Sequence, residues 1–129
     1  MAKIERFEDL EIWQLAREIC RDIHDVMRTT SLGQNYALSN QMDKCSGSIM
    51  DNIAEGFERN GNKEFIQFLS IAKASCGELR SQRYRALDRK HIDETTFKLQ
   101  MEKALLESKK KNAFMNYLSK SEYKGSKFK

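Results

Sequence analysis

The chain contains no proline at any of its 129 positions. Long helices are therefore permitted throughout, since proline is the residue that both removes a backbone donor and clashes with the preceding turn. Histidine is limited to His24 and His91, and cysteine to Cys20, Cys45 and Cys76. The cysteines lie far apart, show no C-x-x-C spacing and cannot all pair within the chain, so neither a zinc ribbon nor a disulfide scaffold is encoded. Free, mostly buried thiols in a reducing cytoplasm are the expectation. Neither G-x-G-x-x-G nor G-x-x-x-x-G-K-[ST] occurs, which leaves nucleotide binding by a glycine loop without support. No apolar run approaches the roughly 20 residues that span a bilayer. The opening MAKIERFEDL has no apolar stretch between its charges and a cleavage-like site, so neither export nor membrane association is expected.

What the chain does have is apolar residues at three-and-four spacing, the signature of helices with one buried face. The first helix, about Asp9 to Arg28, carries Ile12, Trp13, Ala16, Ile19, Cys20, Ile23 and Met27 and ends at the polar break TTSLGQN. The second, about Tyr36 to Arg59, carries Leu38, Met42, Cys45, Ile49, Ile53 and Phe57 and is followed by NGN. The third begins near Lys63, with Asn60 or Asn62 able to cap it, and uses Phe65, Phe68, Leu69, Ala72, Cys76, Leu79, Ala86 and Leu87. The fourth opens after Asp93 as cap and continues through Phe97, Met101, Ala104, Leu105, Met115 and Leu118. Four helices of similar length with short connections predict an all-α, antiparallel up-down-up-down four-helix bundle over residues 1–118. Residues 119–129, SKSEYKGSKFK, lack an apolar stripe and read as a basic, mobile tail.

Two features of the second helix invite interpretation. Its apolar residues, with Met50, spread over about 160° when projected at 100° per residue, which suggests a second subunit as well as an intramolecular core. Its last turns also carry polar residues beside the stripe. Ser48, Asn52, Glu55 and Arg59 line one ridge, able to satisfy one another and to reach the free amides at the start of the third helix. Gly56 on that ridge costs up to about 1 kcal/mol of helix propensity, tolerable where two backbones meet closely. A structural junction explains these five residues better than a carboxylate active site does. Cys20 and His24, one turn apart, superficially suggest a nucleophile and base or a metal pair, but no third group completes either set. No catalytic residue, metal site or cofactor is expected.

Charge is distributed unevenly. Up to Glu58 there are six Lys or Arg against eleven Asp or Glu, a balance of −5; from Arg59 onward there are seventeen against eight, a balance of +9. A basic half is a candidate surface for a polyanion. Arg80, Arg85, Arg89 and Lys90 crowd the end of the third helix, and Lys109, Lys110 and Lys111 lie on the fourth. Arg83 stands apart, since it projects into the apolar stripe and must snorkel, find a carboxylate or face a cavity between subunits. Most aromatics fall on the stripes; Tyr84, Tyr123 and Phe128 are the exceptions, so base stacking should contribute little.

FEDLEIWQLA, SIMDNIAEGFER and KEFIQFLSIAKASCGELRSQ, in this order and spacing, resemble the bacterial four-helix bundle family of proteins encoded in intervening sequences of large-subunit ribosomal RNA genes. The resemblance covers about residues 7 to 118, and the same fold class includes the accessory proteins of diversity-generating retroelements. It implies an antiparallel bundle that assembles into a homo-oligomeric ring, a pentamer, with nucleic acid or a nucleic-acid-handling protein as partner, and it supplies no catalytic residue. Two departures stand out: Met50 replaces a proline common in relatives, and Gln41, Met42, Asp43 and Lys44 replace paired arginines. The expected function is thus a non-enzymatic oligomeric scaffold or binding module. The alternative is a purely structural protein-interaction oligomer with no nucleic-acid ligand.

Overall fold

The computed structural model describes residues 4–59 and 61–121. Four helices account for most of them: α1 (Glu11–Thr29), α2 (Tyr36–Glu58), α3 (Asn62–Asp88) and α4 (Glu94–Ser121), with no strand among the described residues. The fold is all-α. Short 3₁₀ turns at Phe7–Asp9 and Ser31–Gln34 precede α1 and α2. The first of them packs the Phe7 ring edge-on against Trp13 at 5.2 Å between centroids, and α1 begins only after it, two residues beyond Asp9.

Helix starts follow from local chemistry. Asn35 caps α2, its Oδ1 accepting from the Leu38 amide at 3.2 Å. Asp93 caps α4 as its type and position require, accepting from the Thr96 amide at 2.8 Å, and that bond holds its carboxyl below the usual carboxylate range. α3 is different. No side chain caps it; Gly61, at φ 100°, turns the chain through a conformation that side-chain-bearing residues avoid, and Asn62 is already helical. The Asn62 side chain instead donates from Nδ2 to the Leu118 carbonyl at 3.3 Å, joining the start of α3 to the end of α4. Asn60 lies outside the described residues. So does most of the expected tail, although Ser119, Lys120 and Ser121 are the last residues of α4.

α3 ends in a Schellman arrangement: the His91 amide bonds to the Ala86 carbonyl and the Lys90 amide to that of Leu87, each at 2.9 Å. Lys90 occupies the left-handed position, φ 63°, that glycine usually fills. Beyond it, His91 ties the two connections at this end together, with Nδ1 2.7 Å from Ser31 Oγ and Nε2 3.3 Å from Asn35 Nδ2.

One cluster of buried apolar residues runs through all four helices. In α1 it is Ile12, Trp13, Ala16, Ile19, Ile23 and Val26, the expected face; Cys20 and Met27 are only half-buried at its edge. In α2 the whole apolar arc is used inside the chain. Leu38, Met42, Cys45, Ile49, Ile53 and Phe57 are buried, and only Met50 is half-exposed. The arc is wide because α2 is packed from two sides: Ser46 accepts from Cys20 Sγ of α1 at 3.2 Å, and Ser48 exchanges a 2.8 Å hydroxyl bond with Ser75 of α3. Its breadth therefore does not call for a second subunit.

α4 departs most from expectation. Leu105 is 53% exposed and Met101 and Met115 are half-buried, while Gln100, Ala104, Glu107, Lys111 and Leu118 face inward. These five, with the partly buried Phe97 and Phe114, recur at strict three-and-four spacing and meet the equivalent row of α3, which runs from Asn62 to Ala86.

Candidate functional site

The ridge Ser48, Asn52, Glu55, Gly56 and Arg59 divides into two sets of contacts. Asn52 Nδ2 donates to the Ser48 carbonyl at 2.8 Å and to its hydroxyl at 3.0 Å, so Ser48, Asn52 and Ser75 form one small network between α2 and α3. Gly56 is buried because α3 crosses directly over it. A Cβ there would lie 2.7 Å from both Phe65 Cδ1 and Phe68 Cβ, closer than packed atoms approach. Glu55 does not reach the amides of α3 as expected. It pairs with Arg59 at 3.0 Å one turn on, with both side chains about half-exposed, and Arg59 also lies over the Phe68 ring.

Cys20 and His24 are not a reactive pair. The Cys20 thiol donates to the Ser46 carbonyl, and burial raises its pKa against the pull of that bond, the opposite of what a thiolate nucleophile needs. Among the described residues no group of three His, Cys, Asp or Glu side chains is placed to hold a metal ion.

The basic candidates divide into three sets. Arg85, Arg89 and Lys90 are exposed around the last turn of α3, where the partial negative charge of the helix end favours cations; Arg85 donates to Gln41 of α2 at 3.2 Å, and among the described residues none of the three is in an ion pair. Arg80 is half-buried on the side of α3 that carries Tyr84, whose ring packs edge-on with Phe97 of α4 at 4.9 Å. The lysine triplet splits by helical rotation. Lys109 is exposed, Lys110 reaches Glu11 of α1 at 3.1 Å, and Lys111 points into the core with no exposed surface. Lys111 is thus corrected from a surface cation to a buried one, out of reach of any phosphate in this structure.

What the sequence reading missed is the partner of Lys111. Glu107, also with no exposed surface, stands 3.6 Å from the ammonium, an ion pair longer than a hydrogen bond. Burial pushes the Glu107 carboxyl up to about 7 against the attraction of Lys111, and burial likewise lowers the Lys111 ammonium against the attraction of Glu107. Arg83, fully buried, is pushed down to about 10 by burial. It neither snorkels nor finds a carboxylate. Its Nε donates to the Gln100 side-chain carbonyl at 3.1 Å, and both terminal nitrogens lack a partner. The signal available beforehand was the three-and-four row itself, which passes through Gln100, Glu107 and Lys111 if spacing is followed in preference to hydrophobicity.

On the rim of this seam, Lys103 bridges α4 to α1 through Asp22 at 2.8 Å and Glu18 at 3.4 Å; the Asp22 bond raises its pKa. The molecule is thus an all-α protein with a buried polar seam between α3 and α4 and exposed cations at the end of α3. The chain matches the family model of the 23S rRNA-intervening sequence protein over residues 8–113 and belongs to that family. No curated protein matches it.

Proposed function

We propose that this protein is a non-enzymatic binding module for nucleic acid, acting as a homo-oligomer of antiparallel up-down-up-down bundles. The order of the helices is supported by pairs that run oppositely along neighbours: Gln41 with Arg85 and Gly56 with Phe65; Asn62 with Leu118 and Arg83 with Gln100; Glu11 with Lys110 and Asp22 with Lys103. The family name points to ribosomal RNA genes. A ring of five subunits is the assembly that the family resemblance implies, and three free cysteines suit a cytoplasmic setting. No helix among the described residues is long and apolar enough to cross a membrane.

The observation that carries the binding reading is the exposed trio Arg85, Arg89 and Lys90. Lys90 is held in the left-handed region at a position where glycine would cost about 1 kcal/mol less, and strain retained in an exposed cation suits a functional role. Binding would be electrostatic, with counterions released from phosphates and weak sequence preference. The test is fluorescence anisotropy with single- and double-stranded DNA and RNA at two salt concentrations. Replacing Arg85, Arg89 and Lys90 with glutamine should weaken binding to every sequence and flatten its salt dependence. Lys90→Gly alone should stabilise the fold while weakening binding. The second reading, a protein-interaction oligomer without a nucleic-acid ligand, draws on Leu99, Leu105 and Leu106, which are exposed on α4. Absence of any measurable affinity at about 50 mM salt, where phosphate contacts are strong, would decide for it.

A further inference from the structure

α4 leaves three leucines exposed while burying three polar or charged residues. Leu99, Leu105 and Leu106 are 62%, 53% and 43% exposed, while Gln100, Glu107 and Lys111 are buried. Among the described residues, all but one of the buried side-chain polar atoms without a hydrogen-bond partner lie where α4 meets the rest: both terminal nitrogens of Arg83, both oxygens of Glu107 and the Lys111 ammonium. Those atoms would recover water on separation, and the fully buried apolar residues that α4 itself contributes are Ala104 and Leu118, with Phe97, Phe114, Met115 and Tyr117 partly buried against the core. The charged links that bind α4 to α1, from Lys103 and Lys110, sit on the partly solvated rim, where ion pairs contribute little and are screened by salt.

We propose that α4 is a releasable helix: it leaves α1–α3 as a unit before the rest unfolds, and its release uncovers Arg83 and Lys111 as cationic surface that the closed form seals. Local opening of this kind follows the least stable contact in a fold. The α3–α4 seam is that contact.

The cysteines make a built-in test. Cys76 is fully buried under α4, its Sγ 3.6 Å from the Ala104 carbonyl and 3.5 Å from Ser108 Oγ. Cys45, 8% exposed, lies between α2 and α3 and accepts from Gln82. A closed molecule therefore reacts at Cys45 before Cys76; release of α4 reverses the order. In the intact protein, alkylation by N-ethylmaleimide should be followed by peptide mass spectrometry, with each rate divided by that of the same cysteine in urea. Cys76 should label at least about tenfold faster than Cys45, the ratio expected if opening at α4 is easier by one decade of equilibrium constant. Amides from Ala104 to Lys111 should exchange hydrogen faster than those from Ile12 to Ile23. The paired variant Glu107→Leu with Lys111→Met should slow Cys76 labelling about tenfold and leave Cys45 unchanged. Cys76 labelling no faster than Cys45, or central α4 amides as protected as those of α1, would overturn the proposal using the natural sequence alone.

Discussion

α3 meets its two neighbours by opposite means. Against α2 it uses smallness: Gly56 lies under Phe65 and Phe68, and a bond between two serine hydroxyls replaces bulk at Ser48 and Ser75. Against α4 it accepts length and charge: Arg83 extends to Gln100, and the buried face of α4 includes the paired Glu107 and Lys111. The first contact leaves no room for an added atom. The second has atoms enough but leaves several without a hydrogen-bond partner. One interface should thus be sensitive to volume and the other to charge balance.

The largest expected effect tests volume. Gly56→Leu should destabilise the protein by about 3 kcal/mol or more, and Gly56→Ala by about 1–3 kcal/mol, because even one Cβ must displace two phenylalanines. Urea midpoints measure both, and an alanine variant as stable as the natural protein would break the contrast. Charge balance comes next. Glu107→Leu alone strands a buried ammonium and should cost about 3 kcal/mol, whereas combining it with Lys111→Met should be neutral or stabilising by about 1–4 kcal/mol. A double variant weaker than either single one would mean that the pair stabilises the seam.

A pH titration sharpens the same point. Glu107 holds its proton more tightly folded than unfolded, so its contribution to stability is complete below the ordinary carboxylate pKa of 4.5 and is lost as pH rises to about 7. The full difference is up to about 3 kcal/mol. Lys111 is shifted the other way, so it disfavours the fold at neutral pH and does so less as pH rises towards the ordinary lysine range. Glu107→Gln should remove the loss between pH 4.5 and 7, visible as the difference between its stability curve and that of the natural protein. The smallest effect belongs to the α2 ridge. Glu55→Ala removes a half-exposed pair one turn apart and should change stability by only about 0.3–0.5 kcal/mol. A loss above about 1 kcal/mol would indicate the capping role that the geometry denies.

Much of this fold was legible in the order of residues. The helices fall within two or three residues of the bounds set by spacing, the TTSLGQN break and Asp93, because caps and breaks are local. The α4 stripe was not legible. Following apolar residues through Met101 and Leu105 mixes two faces, and the true row contains Gln100, Glu107 and Lys111, whose burial is settled only by what α3 places opposite. The basic site shows a similar limit. Lys109, Lys110 and Lys111 are neighbours in sequence, yet 100° of rotation per residue sends them to solvent, to α1 and to the core. The Glu55 misreading is of another kind: the residues of the ridge lie together, but Glu55 takes Arg59, one turn on in its own helix, as its partner.

The contact that joins the two connections at one end has a spectroscopic consequence. Asn35 Oδ1 is occupied by the Leu38 amide, so it is the Asn35 nitrogen that faces His91 Nε2. That ring nitrogen must accept, which places the single proton of a neutral His91 on Nδ1, directed at Ser31 Oγ. The nitrogen-15 resonances of one imidazole would then report, by which nitrogen carries hydrogen, whether Asn35 still holds the first turn of α2.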